Sequence, residues 1–279
     1  MPTPASDPQH APTTTGRGPR ADVALVTGAT WGLGLEFAER LAARGDALVL
    51  VARDADRLAE VAEGLRARHG VAVEVLAADL ATDAGCEAVA ARLADPARPV
   101  DLLVNNAGAG LGVRAVDADP AAVARLDDLL TRAVLRLSLA AVGPMAHRGH
   151  GGVVNVASVA AFLPGGVYTA AKAWVVAFTR GLSAELRGTG VRAVVVCPGY
   201  VPTRFHASAG IDTSRIPSWW WIPAERVVAE TLAALADGRP TVVVPSRRYR
   251  VLVALVRHAP LRLGDALWRS RGGRLPLRD

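Results

Sequence analysis

The sequence predicts an α/β domain built on a doubly wound parallel sheet of about seven strands. Three observations carry that expectation. From residue 22 onward, short β-branched and apolar runs recur without polar alternation, as strands buried on both faces do. Between them lie Ala/Leu/Arg/Glu segments of helical period, and regular β-α alternation is the pattern of a helix-covered parallel sheet. The first apolar run passes directly into a glycine-rich turn.

The elements follow in order. A strand is expected over residues 23 to 27, then a helix over 33 to 43 that ends at Gly45. A second strand covers 47 to 51 and a second helix 55 to 68. The third strand spans 71 to 77 and precedes a helix near 85 to 94. After a fourth strand at 100 to 104, Pro120 opens a long helical segment reaching about residue 147. A fifth strand at 152 to 156 leads to a helix over 167 to 187, and a sixth strand at 191 to 196 follows. A helix over 224 to 236 and a seventh strand at 241 to 244 complete the sheet. In such sheets ligands bind outside the carboxyl ends of the strands, so chemistry is expected where strands pass into loops.

Composition narrows the function. The chain has 279 residues, 51% of them hydrophobic, enough for one large core. Net charge is +6, but the basic residues do not interleave with aromatic ones, so no nucleic-acid partner is expected. Cys86 and Cys197 match no metal or redox spacing, which fits a reducing, cytoplasmic setting and no metal. Residues 1 to 20 are too poor in large apolar side chains to fold and read as a disordered tail without the apolar region of a secretory signal. The apolar runs fall short of the roughly 20 residues a membrane span needs. Residues 21 to 245 then form a single catalytic domain, and 246 to 279, with nine Arg against two Asp, a basic amphipathic extension.

The turn after the first strand reads Thr27-Gly28-Ala29-Thr30-Trp31-Gly32-Leu33-Gly34. Glycines here let the chain turn tightly and let a pyrophosphate approach a helix N-terminus. The second strand ends at Arg53 with no carboxylate before it, which selects a 2′-phosphate over a free ribose hydroxyl and so NADP(H) over NAD(H). Asp79-Leu80 follows the third strand and Asn105-Asn106-Ala107-Gly108 the fourth, at tips able to support the adenine-ribose half. Of the 32 cationic residues one alone is lysine, Lys172, four positions after Tyr168. That spacing sets both on one helix face. A neighbouring ammonium favours the phenolate and is expected to lower the tyrosine pKa from near ~10.

Together these motifs resemble the short-chain dehydrogenase/reductase superfamily, over about residues 22 to 245. The resemblance implies a Rossmann-like fold in which Tyr168 protonates a carbonyl oxygen as hydride arrives from the nicotinamide. It implies that Lys172 binds the nicotinamide ribose and that Ser158 hydrogen-bonds the substrate. Pro198, Gly199, Val201 and Thr203 would hold the nicotinamide. Two departures stand out. Leu130 falls where many members carry an Asn that disturbs the long helix and positions a proton-relaying water; Leu can do neither, and Thr131 beside it could hold a water only if the register shifts. Ser158 precedes Tyr168 by ten residues, a shorter spacing than is usual, so the Pro164-Gly165-Gly166 turn must bring them to one carbonyl.

Residues 203 to 222 fall where the family's substrate lid lies, and include Phe205, His206 and Trp219-Trp220-Trp221. Such a lid suits a bulky apolar ketone, aldehyde or acyl substrate, or packs on the domain itself. The basic segment after 246 can contact an anionic membrane surface, but packing or a subunit contact is favoured. Relatives commonly pair through the two long helices, so a homodimer or homotetramer is expected. The competing function is a catalytically weak dinucleotide-binding sensor of the same fold.

Overall fold

The computed structural model describes residues 23–113, 116–214 and 216–258. The strands are β1 (Val23–Thr27), β2 (Ala47–Ala52), β3 (Val73–Ala77), β4 (Leu102–Asn105), β5 (Gly151–Val156), β6 (Val191–Val196) and β7 (Val242–Val243). They form one seven-stranded sheet, ordered β3-β2-β1-β4-β5-β6-β7, in which every neighbouring pair is parallel. The chain works outward from β1 to β3, then crosses to β4 beside β1 and works outward again. That reversal opens a crevice at the carboxyl ends of β1 and β4.

The strands are apolar throughout because alternate residues feed two different cores. Ala24, Val26, Leu48 and Leu50 face one side, where they pack with Phe37 and Leu41 of α1 (Gly32–Ala43), Leu58 of α2 (Ala55–His69) and Val227 of α8 (Ala224–Asp237). Leu25, Val49 and Val51 face the other, against Val89 of α3 (Asp83–Ala94), Leu137 of α5 (Ala133–Arg148) and Leu182 of α6 (Val167–Glu185). Local chemistry fixes the helix ends. Asp54 and Thr82 cap α2 and α3 through their side chains, and Gly70, with φ 67°, ends α2 in the left-handed conformation.

The long helical segment departs from expectation. It runs as α4 (Pro120–Asp127), a π-helical turn over Asp128–Arg132, and then α5. The helix is therefore disturbed at Leu130 even though no Asn stands there. Leu130 is buried against Ala171 and Tyr168, so packing of the neighbouring turn onto α6 holds the distortion. Taken as one helix, Pro120–Arg148 is 29 residues and apolar enough by length and composition to cross a membrane. Its apolar face instead lies on the sheet and on α6, through Leu130, Leu137, Ala141 and Met145.

Beyond β7, the basic segment forms α9 (Arg247–His258). Tyr249 and Val253 are buried against the domain, while Val251 and Leu255 face outward. One face thus packs on the chain itself. The tail at 1 to 20 and the rest of the extension, 259 to 279, lie outside the described residues.

Candidate active site

A groove of about 1000 Å³ runs along the carboxyl ends of the strands. The turn after β1 forms its floor. Gly28 and Gly32 adopt φ of 66° and 57°, which side chains rarely tolerate. Thr30, Trp31, Gly32 and Leu33 line the groove with Gly28. Gly34 does not line it: a Cβ there would lie 2.2 Å from the Gly28 carbonyl oxygen, so this glycine serves close packing beneath the turn. Trp31 is the N-cap of α1 and makes no side-chain cap bond, leaving the N–H groups of the first turn for another acceptor. The guanidinium groups of Arg57 and Arg204 lie 4.2 and 3.5 Å from the Trp31 ring centroid.

Arg53 lines the groove beyond β2, and Asp54 beside it is committed to capping α2. After β3, Asp79 accepts from Ala81 N and pairs with Arg125 of α4 at 3.1 Å, and Leu80 lies next to it. Ala107 and Gly108 line the groove after β4. The two asparagines at this tip have separate tasks. Asn106 lines the groove but spends its amide on the carbonyl oxygens of Thr27 and Gly28, tying β4 to the glycine turn. Asn105 is buried and donates to Ser138 Oγ and Asn155 Oδ1, while Asn155 donates to Thr179 Oγ1. This buried polar chain crosses α5, β4, β5 and α6. Its members carry no local motif, and only the strand register brings them together.

The shortened loop after β5 does bring Ser158 to Tyr168. Ser158 caps a 3-10 turn over Val159–Phe162, and its side chain hydrogen-bonds the Tyr168 phenol. Tyr168 and Lys172 lie on α6, facing the groove. Lys172 is 5% exposed, donates from Nζ to the Val156 carbonyl oxygen at 2.8 Å, and lies 5.8 Å from the Tyr168 ring centroid.

The expected lowering of the tyrosine pKa is not what these positions give. Burial pushes the Tyr168 phenol up to about 12, against the opposing effect of the Ser158 hydrogen bond. Burial likewise pulls the Lys172 ammonium down to about 8. Removing both groups from water disfavours each charged form more than the pair favours it. Thr131 does not face the site as a water holder either, because its hydroxyl bonds to the Asp127 carbonyl and carboxylate oxygens at 2.8 and 2.7 Å.

The loop after β6 closes the groove. Pro198, Gly199, Val201 and Thr203 all line it, and Thr203 presses against Gly32, where a Cβ would lie 2.9 Å from its methyl group. Phe205 and His206, on α7 (Phe205–Ser208), form the wall facing Tyr168, with the Phe205 and Tyr168 ring centroids 5.7 Å apart. The three tryptophans do not line the groove. Trp221 packs on Tyr200 and His206, Trp220 on Tyr249, and Trp219 on Trp220. The residues present fit a dinucleotide: a glycine turn at an uncapped helix N-terminus, a cation beyond β2, and a phenol–ammonium pair at the other end.

The short chain dehydrogenase family model matches residues 22–213. This chain belongs to that family. A relative, the ketoacyl reductase HetN of Nostoc sp., is 33% identical over 226 residues, 79% of this chain and 77% of its own. Among solved structures, a short-chain dehydrogenase from Sphingobium yanoikuyae in complex with NADPH superposes with a TM-score of 0.76 at 36% identity, covering 90% of this chain and 94% of its own. The bulky-bulky ketone specific alcohol dehydrogenase of Comamonas testosteroni superposes with a TM-score of 0.72 at 30% identity, covering 90% and 92%. The short-chain dehydrogenase is thus an oxidoreductase that works with a nicotinamide dinucleotide on carbonyl or alcohol groups.

Proposed function

We propose that this short-chain dehydrogenase reduces a bulky apolar ketone, aldehyde or acyl carbonyl with NADPH. The observation that carries the reading is the convergence of Ser158, Tyr168 and Lys172 at one end of the groove whose other end holds the glycine turn and Arg53. When bound, the reduced nicotinamide supplies hydride. Tyr168, protonated at neutral pH, donates its phenolic proton to the carbonyl oxygen. Ser158 orients that oxygen. Lys172 titrates near neutral pH, so it can pass a proton to the tyrosinate that remains and recover one from solvent. Asp79, Asn106 and the turn residues Gly28, Thr30, Trp31, Gly32 and Leu33 hold the adenosine and pyrophosphate half, while Pro198, Gly199, Val201 and Thr203 bound the nicotinamide.

Arg53 supports NADPH over NADH, since a guanidinium at the tip of β2 complements a 2′-phosphate. Leu111, Leu126, Leu129 and Phe205 near Tyr168 support an apolar substrate. The NADPH complex and the bulky-ketone enzyme among the structural neighbours point the same way. Two free, buried cysteines suit a cytoplasmic enzyme. Exposed Leu139 on α5 and Trp174 on α6 suit pairing of two chains through the long helices.

The test is NADPH oxidation against a panel of aryl and alicyclic ketones and long-chain aldehydes. Turnover that Tyr168→Phe abolishes supports the reading. NADPH binding without turnover on any carbonyl, unaffected by that substitution, makes the protein a dinucleotide sensor instead.

A further inference from the structure

We propose that Tyr249, on the C-terminal helix, is a positioning residue that holds both ends of the lid over the nicotinamide end of the groove. The proposal concerns residues beyond the family match at 22–213, and its functional half rests on the dinucleotide reading given above.

Tyr249 is 2% exposed, although α9 is otherwise a basic, half-exposed helix. Its hydroxyl accepts from the backbone N–H of Tyr200 at 3.1 Å and donates to the carbonyl oxygen of Trp220 at 2.9 Å. One phenol therefore joins the first residues of the lid to its last turn, twenty positions later. Its ring occupies the space beside Gly199, where a Cβ would lie 2.1 Å from the ring. Any side chain at 199 would evict it. The ring also packs on Trp220, with centroids 4.9 Å apart. Arg248 adds a second tie, donating to the Trp219 carbonyl oxygen with its guanidinium over the Trp219 ring.

The segment between these ties carries Val201, Thr203, Phe205 and His206, the whole lid side of the groove. Its remaining anchors are few. Ile222 N bonds to the Tyr200 carbonyl oxygen at 2.8 Å, and Ala209 approaches Gly110. A loop of this length gains considerable freedom when an anchor at its root is lost. Tyr168, Lys172 and Ser158 sit on β5 and α6, apart from that freedom. Loss of the Tyr249 hydroxyl should therefore loosen what grips the cofactor and leave the proton-donating group in place. Burial raises the Tyr249 pKa, so the hydroxyl keeps the proton it donates to Trp220.

The experiment uses the full chain carrying Tyr249→Phe, which keeps the ring and removes both bonds. Hydrogen exchange is measured over peptides covering 199–222, and NADPH affinity by fluorescence titration, with melting temperature alongside. Two hydrogen bonds of ordinary strength predict roughly tenfold faster lid exchange, with β4 and β5 unchanged, and an NADPH Kd raised about tenfold. Steady-state kinetics with a carbonyl that the wild-type protein turns over should show a raised KM for NADPH and kcat within about twofold at saturation. Tyr249→Ser, lacking the ring, should loosen the lid further. Wild-type lid exchange in Tyr249→Phe overturns the proposal, as does faster lid exchange with unchanged NADPH affinity. Should the wild-type protein fail to bind NADPH, the dinucleotide reading falls, whereas lid exchange in the free protein still reports on the Tyr249 tie by itself.

Discussion

Lys172 reaches from α6 to the end of β5, where its Nζ donates to the carbonyl oxygen of Val156 at 2.8 Å. The ammonium thus anchors the helix carrying Tyr168 to the strand that leads to Ser158, besides lying beside the phenol. A guanidinium is wider and planar and could not take the same position without moving its neighbours. Lys172→Arg should therefore lower kcat by at least tenfold despite keeping the charge, and full activity in that variant would remove the proposed role.

Titration of Lys172 has a sign that can be measured. Its pKa is pulled from 10.5 to about 8, so between those values the unfolded chain binds more protons than the folded one. Its contribution to stability is present above pH 10.5 and lost as pH falls through about 8. Tyr168, raised from 10.0 to about 12, behaves oppositely: its contribution is present below pH 10 and lost as pH climbs toward 12. The melting temperature of the wild-type protein relative to Lys172→Met should rise between about pH 7 and pH 10. A constant difference would mean that burial does not control this group.

Tyr168→Phe should reduce kcat by roughly 10²–10⁴-fold, the range for a positioned proton donor. NADPH affinity should change little, because the dinucleotide is gripped mainly at the other end of the groove. A comparable fall in affinity would indicate that the phenol serves binding and not proton transfer.

Arg53→Ala should weaken NADPH binding by about 10–100-fold, the worth of one or two charge-assisted hydrogen bonds, and leave NADH unaffected. Titration of both cofactors against both proteins decides it. Equal losses would argue that Arg53 meets a part common to the two.

Asn155 accepts from Asn105 and donates to Thr179, and all three side chains are buried. Asn155→Leu strands polar groups on both sides and should cost about 2–3 kcal/mol, a fall in melting temperature of roughly 5–10 °C. A melting temperature within a degree or so of wild type would show that the buried chain is readily rearranged.

The sheet was legible in the sequence because each strand is apolar on both faces and each helix repeats with its own period. Tyr168 and Lys172 were legible because one helical turn separates them, and the glycine turn because it directly follows β1. Other features depend on distant parts of the chain. The polar row through Asn105 and Asn155 exists only once β4 and β5 pair in register. Tyr249 gains its role from Tyr200 and Trp220, far back in the sequence. The shift of the Tyr168 pKa follows from how deeply the fold encloses it, which the four-residue spacing does not specify.

The π-helical turn at Asp128–Arg132 acts as a phase correction between two helices with different neighbours. On one side of it, Arg125 meets Asp79 at the groove's edge; on the other, Leu137 and Ala141 meet the sheet. Deleting a single residue within the turn would restore a regular helix and rotate α4 by about 100° relative to α5. Arg125 would then swing off the rim while the sheet stayed intact, so the chain's tolerance of length change here is set by the rim and not by the core.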